Sequence, residues 1–267
     1  MNEIGFADID SAIADIVDAC KNVFNQHLRC VLLEGSVNRG DLIQGYSDVD
    51  IHVYLSDSVF VGERSPKLEY TLKFQEAIGS LKPKKYGVSQ FQVSFLSAEK
   101  GSEWPPPIEG TYRVLYGTPV PAMKKPTLQE YINSEKKQLA NVGQTRTDLL
   151  RRFIDKTNAS TAPIVRLTGT CLKGMLYALA VVLTSDPETA LKQTLNETLD
   201  TISSRIQGSE NARSFFNAVK NWPEIEANPE KAREAFAFGI RAMESIEEAC
   251  SSSQSGQVTA AARANWK

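Results

Sequence analysis

Apolar positions follow two different spacings along the chain, and the change falls near residue 125. Before it, apolar residues at three- and four-residue spacing predict one face of a helix from Ile9 to Phe24. The segments Cys30–Leu33, Asp48–Leu55 and Phe91–Phe95 are short apolar or alternating stretches, which are typical of strands. Pro66 opens a further predicted helix that runs through Leu81.

After residue 125 nearly every segment has the helical spacing. Thr127 and Glu130 form a capping-box pattern, and Asp186-Pro187 and Asn228-Pro229 each place a capping side chain before a proline. The predicted helices are 127–142, 146–157, 162–184, 187–206, 210–221 and 229–250. We therefore expect domains at 1–125 and 126–250, followed by a flexible Ser, Gln, Gly and Ala tail at 251–267.

Composition excludes several classes of function. Hydrophobic residues make up 42% and charged residues 23% of the 267 residues, as in an ordinary folded domain. The chain has 30 Lys and Arg and 32 Asp and Glu, so it has no excess of positive charge, and nucleic acid is not the default partner. The four cysteines lie far apart, which gives neither a zinc motif nor a disulfide scaffold and fits a reducing cytoplasm.

No secretory signal is readable at the start of the sequence. The segment 162–184 is apolar, but it contains Arg166 and Lys173, so we interpret it as a buried helix and not as a membrane span. The chain is accordingly expected in the cytoplasm without a membrane partner.

Candidate chemistry is concentrated between Gly35 and Asp50. A predicted strand leads into Gly35-Ser36, where the absence of a side chain lets backbone approach a ligand and a hydroxyl can donate to an anion. Arg39 lies one turn further along and can reach the same anion. We interpret this turn as a phosphate-binding site.

Eleven residues separate Ser36 from Asp48, and the alternation of a strand puts Asp48 and Asp50 on one side. Two neighbouring carboxylates repel unless a cation lies between them, and Mg²⁺ prefers such oxygen ligands beside substrate phosphates. Each motif alone has an ordinary explanation, a chance turn for Gly-Ser and a solvated strand face for Asp-x-Asp. Their combination, with Ser47 directly before Asp48, favours a site for Mg²⁺ and a nucleoside triphosphate.

This pattern, Gly35-Ser36, Arg39-Gly40 and Ser47-Asp48-Val49-Asp50, resembles the signature of the DNA polymerase beta-like nucleotidyltransferase superfamily. It is most similar to the small-molecule branch, which includes the aminoglycoside nucleotidyltransferases. The resemblance implies an α/β nucleotidyltransferase domain with a mixed sheet and flanking helices, followed by an all-α C-terminal bundle.

The resemblance also implies roles. Asp48 and Asp50 are expected to bind Mg²⁺, two ions in this superfamily, and Gly35, Ser36, Arg39 and Ser47 are expected to hold the triphosphate of ATP or another nucleotide. The implied reaction moves a nucleoside monophosphate, in the first place AMP, to a hydroxyl of a small acceptor such as an aminoglycoside-like compound. A module of antitoxin or regulatory type that acts on a protein or an RNA is the alternative, as is a domain that only binds nucleotide.

The sequence departs from the superfamily where a third acid is expected on a later strand, because Gln92 occupies that position. An amide cannot accept the acceptor's proton at neutral pH. Three explanations stay open: an acid of the following loop (Glu99, Glu103 or Glu109), a carboxylate of the helical domain, or binding without turnover. His52, two residues after Asp50, either titrates usefully there or only hydrogen-bonds a neighbouring element.

Overall fold

The computed structural model describes residues 8–62, 65–100, 106–123 and 126–255. They divide between Pro126 and Thr127 into two units. The first unit contains three helices and six strands: α1 (Ile9–Phe24), β1 (Leu28–Glu34), α2 (Gly35–Arg39), β2 (Val49–Leu55), β3 (Phe60–Val61), β4 (Ser65–Pro66), α3 (Leu68–Ile78), β5 (Phe91–Ser97) and β6 (Arg113–Gly117).

Four strands of the first unit form a mixed sheet in the order β5-β2-β1-β6. β1 pairs antiparallel with both β2 and β6, whereas β2 and β5 are parallel. A parallel pair needs a crossover connection, and α3 lies in the connection from β2 to β5. The short strands β3 and β4 form a separate hairpin.

The two faces of this sheet have different surroundings. One face packs against α1 and α3 around a buried core, to which β1 and β2 contribute Leu28, Val31, Leu33, Val49, Ile51, Val53 and Leu55. The opposite face carries the alternate residues, which form a small apolar cluster around Cys30, Leu32 and Tyr54 at one end. At the other end of that face the alternate residues are polar. The alternation predicted for β2 is therefore confirmed.

The second unit is helical throughout its named elements: α4 (Leu128–Leu139), α5 (Val142–Ile154), α6 (Thr161–Thr184), α7 (Pro187–Lys192), α8 (Leu195–Ser203), α9 (Glu210–Val219), α10 (Trp222–Ala227) and α11 (Pro229–Ser255). The Thr127–Glu130 capping box is present, and Asp186 caps α7 through the N–H of Thr189. The predicted fold class, a mixed sheet with flanking helices and a helical remainder, is confirmed.

Helix α6 is the one helix in the described part of the chain that is long and apolar enough to cross a membrane. However, 67% of its most apolar window is buried inside the structure, and helices α4, α8 and α11 pack around it. The buried helix that the sequence predicted at 162–184 is therefore confirmed.

Several predicted boundaries were wrong. The helix predicted at 187–206 is two helices, because Gln193 is extended and Thr194 starts α8 with its own capping box to Glu197. Pro66 belongs to β4, and α3 begins only at Leu68. Strands β3, β4 and β6 and helix α10 were not predicted. Helix α11 runs on to Ser255, and the rest of the predicted tail, 256–267, lies outside the described residues.

A carboxyl group lies among the apolar residues of α4. Glu135 shares the helix face of Tyr131, Ile132 and Leu139, which are buried. Burial disfavours the charged carboxylate and raises the pKa of Glu135 to about 7. Because the folded-state pKa lies above the unfolded one, its contribution to stability is complete below about pH 4.5 and is lost as the pH rises through about 7.

We therefore expect Glu135→Gln to raise the free energy of unfolding at pH 8 by up to about 3 kcal/mol, and by less than about 1 kcal/mol at pH 5. Urea denaturation at the two pH values measures the difference. Glu234→Gln, at an exposed position of α11, is the control and is expected to change stability by less than about 0.5 kcal/mol at either pH. Equal effects of Glu135→Gln at both pH values would contradict the assignment.

Candidate active site

Three polar side chains form a row across the open face of the sheet. The register pairs Glu34 of β1 with Asp50 of β2, and Asp50 with Gln92 of β5. Paired residues point to the same side of a sheet, and this side faces away from α1 and α3. Asp50 is thus flanked by a carboxylate on one side and by an amide on the other.

The end of β1 comes very close to Asp50. Gly35, the next residue after Glu34, has a φ of +71°, a conformation that favours glycine. A Cβ at this position would overlap Oδ2 of Asp50 and lie 3.0 Å from its Cγ. The carboxylate of Asp50 therefore occupies the space that any other residue at position 35 would need.

Asp48 is fixed by the loop that precedes β2. Ser47 lies directly before it, and the Ser47 hydroxyl accepts a 2.9 Å hydrogen bond from the N–H of Ile43. On the other side, the N–H of Val49 donates to the carbonyl of Gln90 at 3.1 Å, and the N–H of Ser89 donates to Ser47. Asp48, directly before β2, and Asp50, within β2, are both partly exposed, and Val49 between them is buried.

The other predicted phosphate contacts lie in and after α2. Ser36 is only 2% exposed, and its carbonyl accepts a 3.0 Å hydrogen bond from the N–H of Asp41. Arg39, at the end of α2, has its Nε 3.7 Å from Oδ2 of Asp41. The side chain of Asn38 donates to the carbonyl of Thr111 at 2.9 Å and so ties α2 to the segment before β6. The roles of Ser36, Arg39 and Ser47 toward a nucleotide stay predictions.

Glu34 and His52 form a pair on the same face. Nδ1 of His52 lies 2.7 Å from Oε1 of Glu34. Burial opposes the charged imidazole, but the close contact with Glu34 and the charges of Glu34 and Asp50 outweigh it and raise the pKa of His52. His52 therefore lies against Glu34 of the neighbouring strand, and the two roles that the sequence left open for it stay predictions.

The donor set suits Mg²⁺ better than a metal held by protein ligands alone. Among the described residues no group of three or more His, Cys, Asp or Glu side chains is arranged to hold a metal ion. Mg²⁺ is usually bound by one or two carboxylates, and substrate phosphates and water complete its octahedral shell. Asp48 and Asp50, beside a turn in which Gly35 leaves backbone exposed to a ligand, fit that requirement.

Glu34 was not among the site residues predicted from the sequence. The pattern does contain a signal for it, because Glu34 ends the apolar strand and lies two residues after Leu32, on the same side of the strand and on the side that carries Asp50.

The loop acids that the sequence offered as a third carboxylate do not lie beside Asp50 where the structure describes them. Glu99 follows β5 at the Leu55 end of the sheet, roughly 16 Å along β2 from Asp50 at the usual strand rise. Glu109 is exposed beside β6, and Glu103 lies outside the described residues.

Comparison with known proteins gives structural neighbours but no family. No family model matches the chain, and no curated protein does. Among solved structures, spectinomycin adenyltransferase AAD(9) from Enterococcus faecialis, described with ATP and spectinomycin, is 12% identical to this chain. The match covers 88% of this chain and 99% of that one at a TM-score of 0.36, which does not establish a family.

The contact of Asp50 with Gly35 is testable by a pair of substitutions. Gly35→Ala is expected to lower the free energy of unfolding by about 2–4 kcal/mol, since it combines left-handed strain with overlap against Asp50. Gly40→Ala is the matched control, because Gly40 has nearly the same φ, +72°, and nothing within 4 Å of its Cβ position. Strain alone predicts a loss of about 1–2 kcal/mol there. Urea denaturation measures both.

A third substitution identifies the partner in the overlap. In an Asp50→Ala background the carboxylate is gone, so the excess cost of Gly35→Ala over Gly40→Ala is expected to disappear. If that excess persists without the carboxylate, the close approach to Asp50 is not its cause.

Proposed function

We propose that this chain is a Mg²⁺-dependent nucleotidyltransferase that moves a nucleoside monophosphate, AMP in the first place, from a triphosphate to a hydroxyl of a small molecule. One observation carries the proposal. The carboxylate of Asp50 packs against the Cα of Gly35, so the glycine-serine turn lies directly beside one acid of the Asp48-Val49-Asp50 triplet.

In this proposal each part of the site has one task. Asp48 and Asp50 hold Mg²⁺, and the Gly35-Ser36 turn offers backbone N–H groups that the short helix α2 leaves without intrahelical partners. Those amides, with Arg39 nearby, hold the triphosphate oxygens. When bound, Mg²⁺ lowers the cost of the negative charge that develops around the phosphorus.

The remaining chemistry is positioning. The acceptor hydroxyl is held in line with the α-phosphorus and opposite the bond to the pyrophosphate, so that a new P–O bond forms as the old one breaks. The hydroxyl also loses a proton, and the exposed amide of Gln92 cannot take up this proton at neutral pH. The acceptor class stays the aminoglycoside-like compounds of the sequence analysis, and spectinomycin is a reasonable first probe among them.

Turnover is tested with ATP, Mg²⁺ and a panel of aminoglycosides that includes spectinomycin. Pyrophosphate release and transfer of label from [α-³²P]ATP to the acceptor are the expected results. Asp48→Asn and Asp50→Asn are each expected to lower the rate at least about a hundredfold, because each removes a charged ligand of the metal. Asp18→Asn, at a side chain 66% exposed on α1, is the charge-matched control and is expected to keep the wild-type rate.

Gln92 favours one second candidate, a domain that binds nucleotide without turning it over. Calorimetry of ATP binding in the presence of Mg²⁺ separates the two. Binding that depends on Asp48 and Asp50 without pyrophosphate release for any acceptor supports the second candidate, and absence of both binding and release contradicts both.

A further inference from the structure

The face that carries Asp48 and Asp50 has an acid on the strand where none was expected. In the row across the sheet, Gln92 on β5 is an amide and Glu34 on β1 is a carboxylate, and both are direct register partners of Asp50. A third carboxylate at either position, on β1 or on β5, would therefore lie directly beside Asp50.

Electrostatics explains why only one of these two positions is acidic. Directly paired residues on neighbouring strands have Cβ atoms about 5 Å apart, and like charges at that distance destabilise the pairing. Asp50 already has Glu34 on one side. An acid in place of Gln92 would put three carboxylates side by side, with Asp48 next along β2 as a fourth.

Glu34 is also held in a defined position and is still accessible. His52 fixes it through the 2.7 Å contact between Nδ1 and Oε1. The side chain of Glu34 keeps 19% of its surface exposed, but Oε1 itself is buried against His52, so Oε2 is the oxygen that is left to meet a substrate hydroxyl. Glu99, by contrast, lies at the far end of the sheet.

We propose that Glu34 is the catalytic carboxylate that contacts the acceptor hydroxyl, in place of the acid that is absent from position 92. This inference rests on the proposed function. The acceptor O–H bond breaks and its proton passes to a Glu34 oxygen. The acceptor oxygen forms a bond to the α-phosphorus, and the bond from that phosphorus to the pyrophosphate oxygen breaks, with its electron pair leaving on pyrophosphate.

Glu34→Gln tests the inference because it keeps the size of the side chain and removes the proton acceptor. With Mg²⁺, ATP and a panel acceptor that the unsubstituted chain modifies, kcat is expected to fall about 10²- to 10⁴-fold. The Kd for a non-hydrolysable α,β-methylene ATP with Mg²⁺, measured by calorimetry, is expected to stay within about threefold, since Glu34 is not assigned to the nucleotide or the metal. Gln92→Ala, at the opposite side of Asp50, is the matched control and is expected to keep kcat within about threefold.

Moving the acid across the row gives a second measurement. The double variant Glu34→Gln/Gln92→Glu places a carboxylate beside Asp50 on β5 instead of β1. Its kcat is expected to be at least about tenfold higher than that of Glu34→Gln. If Glu34→Gln does not fold, Glu34→Asp is used instead. This variant keeps the negative charge, but its side chain is one methylene shorter, so the carboxylate lies closer to the backbone. A kcat about tenfold lower with an unchanged Kd is then expected.

The outcomes separate the inference from the proposed function. If the unsubstituted chain releases no pyrophosphate with any acceptor, the proposed function is contradicted and the role of Glu34 with it. If the chain is active and Glu34→Gln keeps its kcat within about threefold, only the inference is overturned. A tenfold or greater loss of nucleotide affinity in Glu34→Gln also overturns it, because Glu34 would then be a binding residue.

Discussion

The carboxylate of Asp50 lies against the Cα of Gly35, and the geometry of the candidate site depends on this packing. It requires that residue 35 have no side chain and that the backbone there take a positive φ. Both conditions are met where β1 ends and α2 begins, directly beside the start of β2. One close contact thus brings the turn expected to hold phosphates and the carboxylates expected to hold Mg²⁺ into a single place.

The mixed sheet supplies the rest of the arrangement. Because α1 and α3 cover one face, the alternate residues of β1, β2 and β5 are left on the other. Their polar members gather at the end where β2 starts, while Cys30, Leu32 and Tyr54 form a small apolar cluster further along. One end of this face is therefore charged, and the other end is apolar. Backbone hydrogen bonds from the loops before β2 and β5 hold the charged end in register.

The acids on this face are distributed in an unexpected way. Asp50 has a carboxylate on its β1 side and an amide on its β5 side, and His52 contacts Glu34. The same charge acts on the surrounding groups, since burial first and then Glu34 raise the pKa of Tyr54. A single side chain on β1 thus sets much of the electrostatic character of the open face.

Local sequence patterns predicted most of the elements and the candidate metal ligands. Helical and alternating spacings are local properties, so α1, β2, β5 and the capped helices of the second unit could be predicted, and Asp48-Val49-Asp50 already placed two acids on one side. Strand neighbours are not local. Which strand lies beside β2, and hence that Glu34 faces Asp50 while Glu99 is far away, follows from pairing between segments distant in sequence. These neighbours are fixed on folding, because backbone hydrogen bonding and burial of the α1 and α3 face select one strand order and register together.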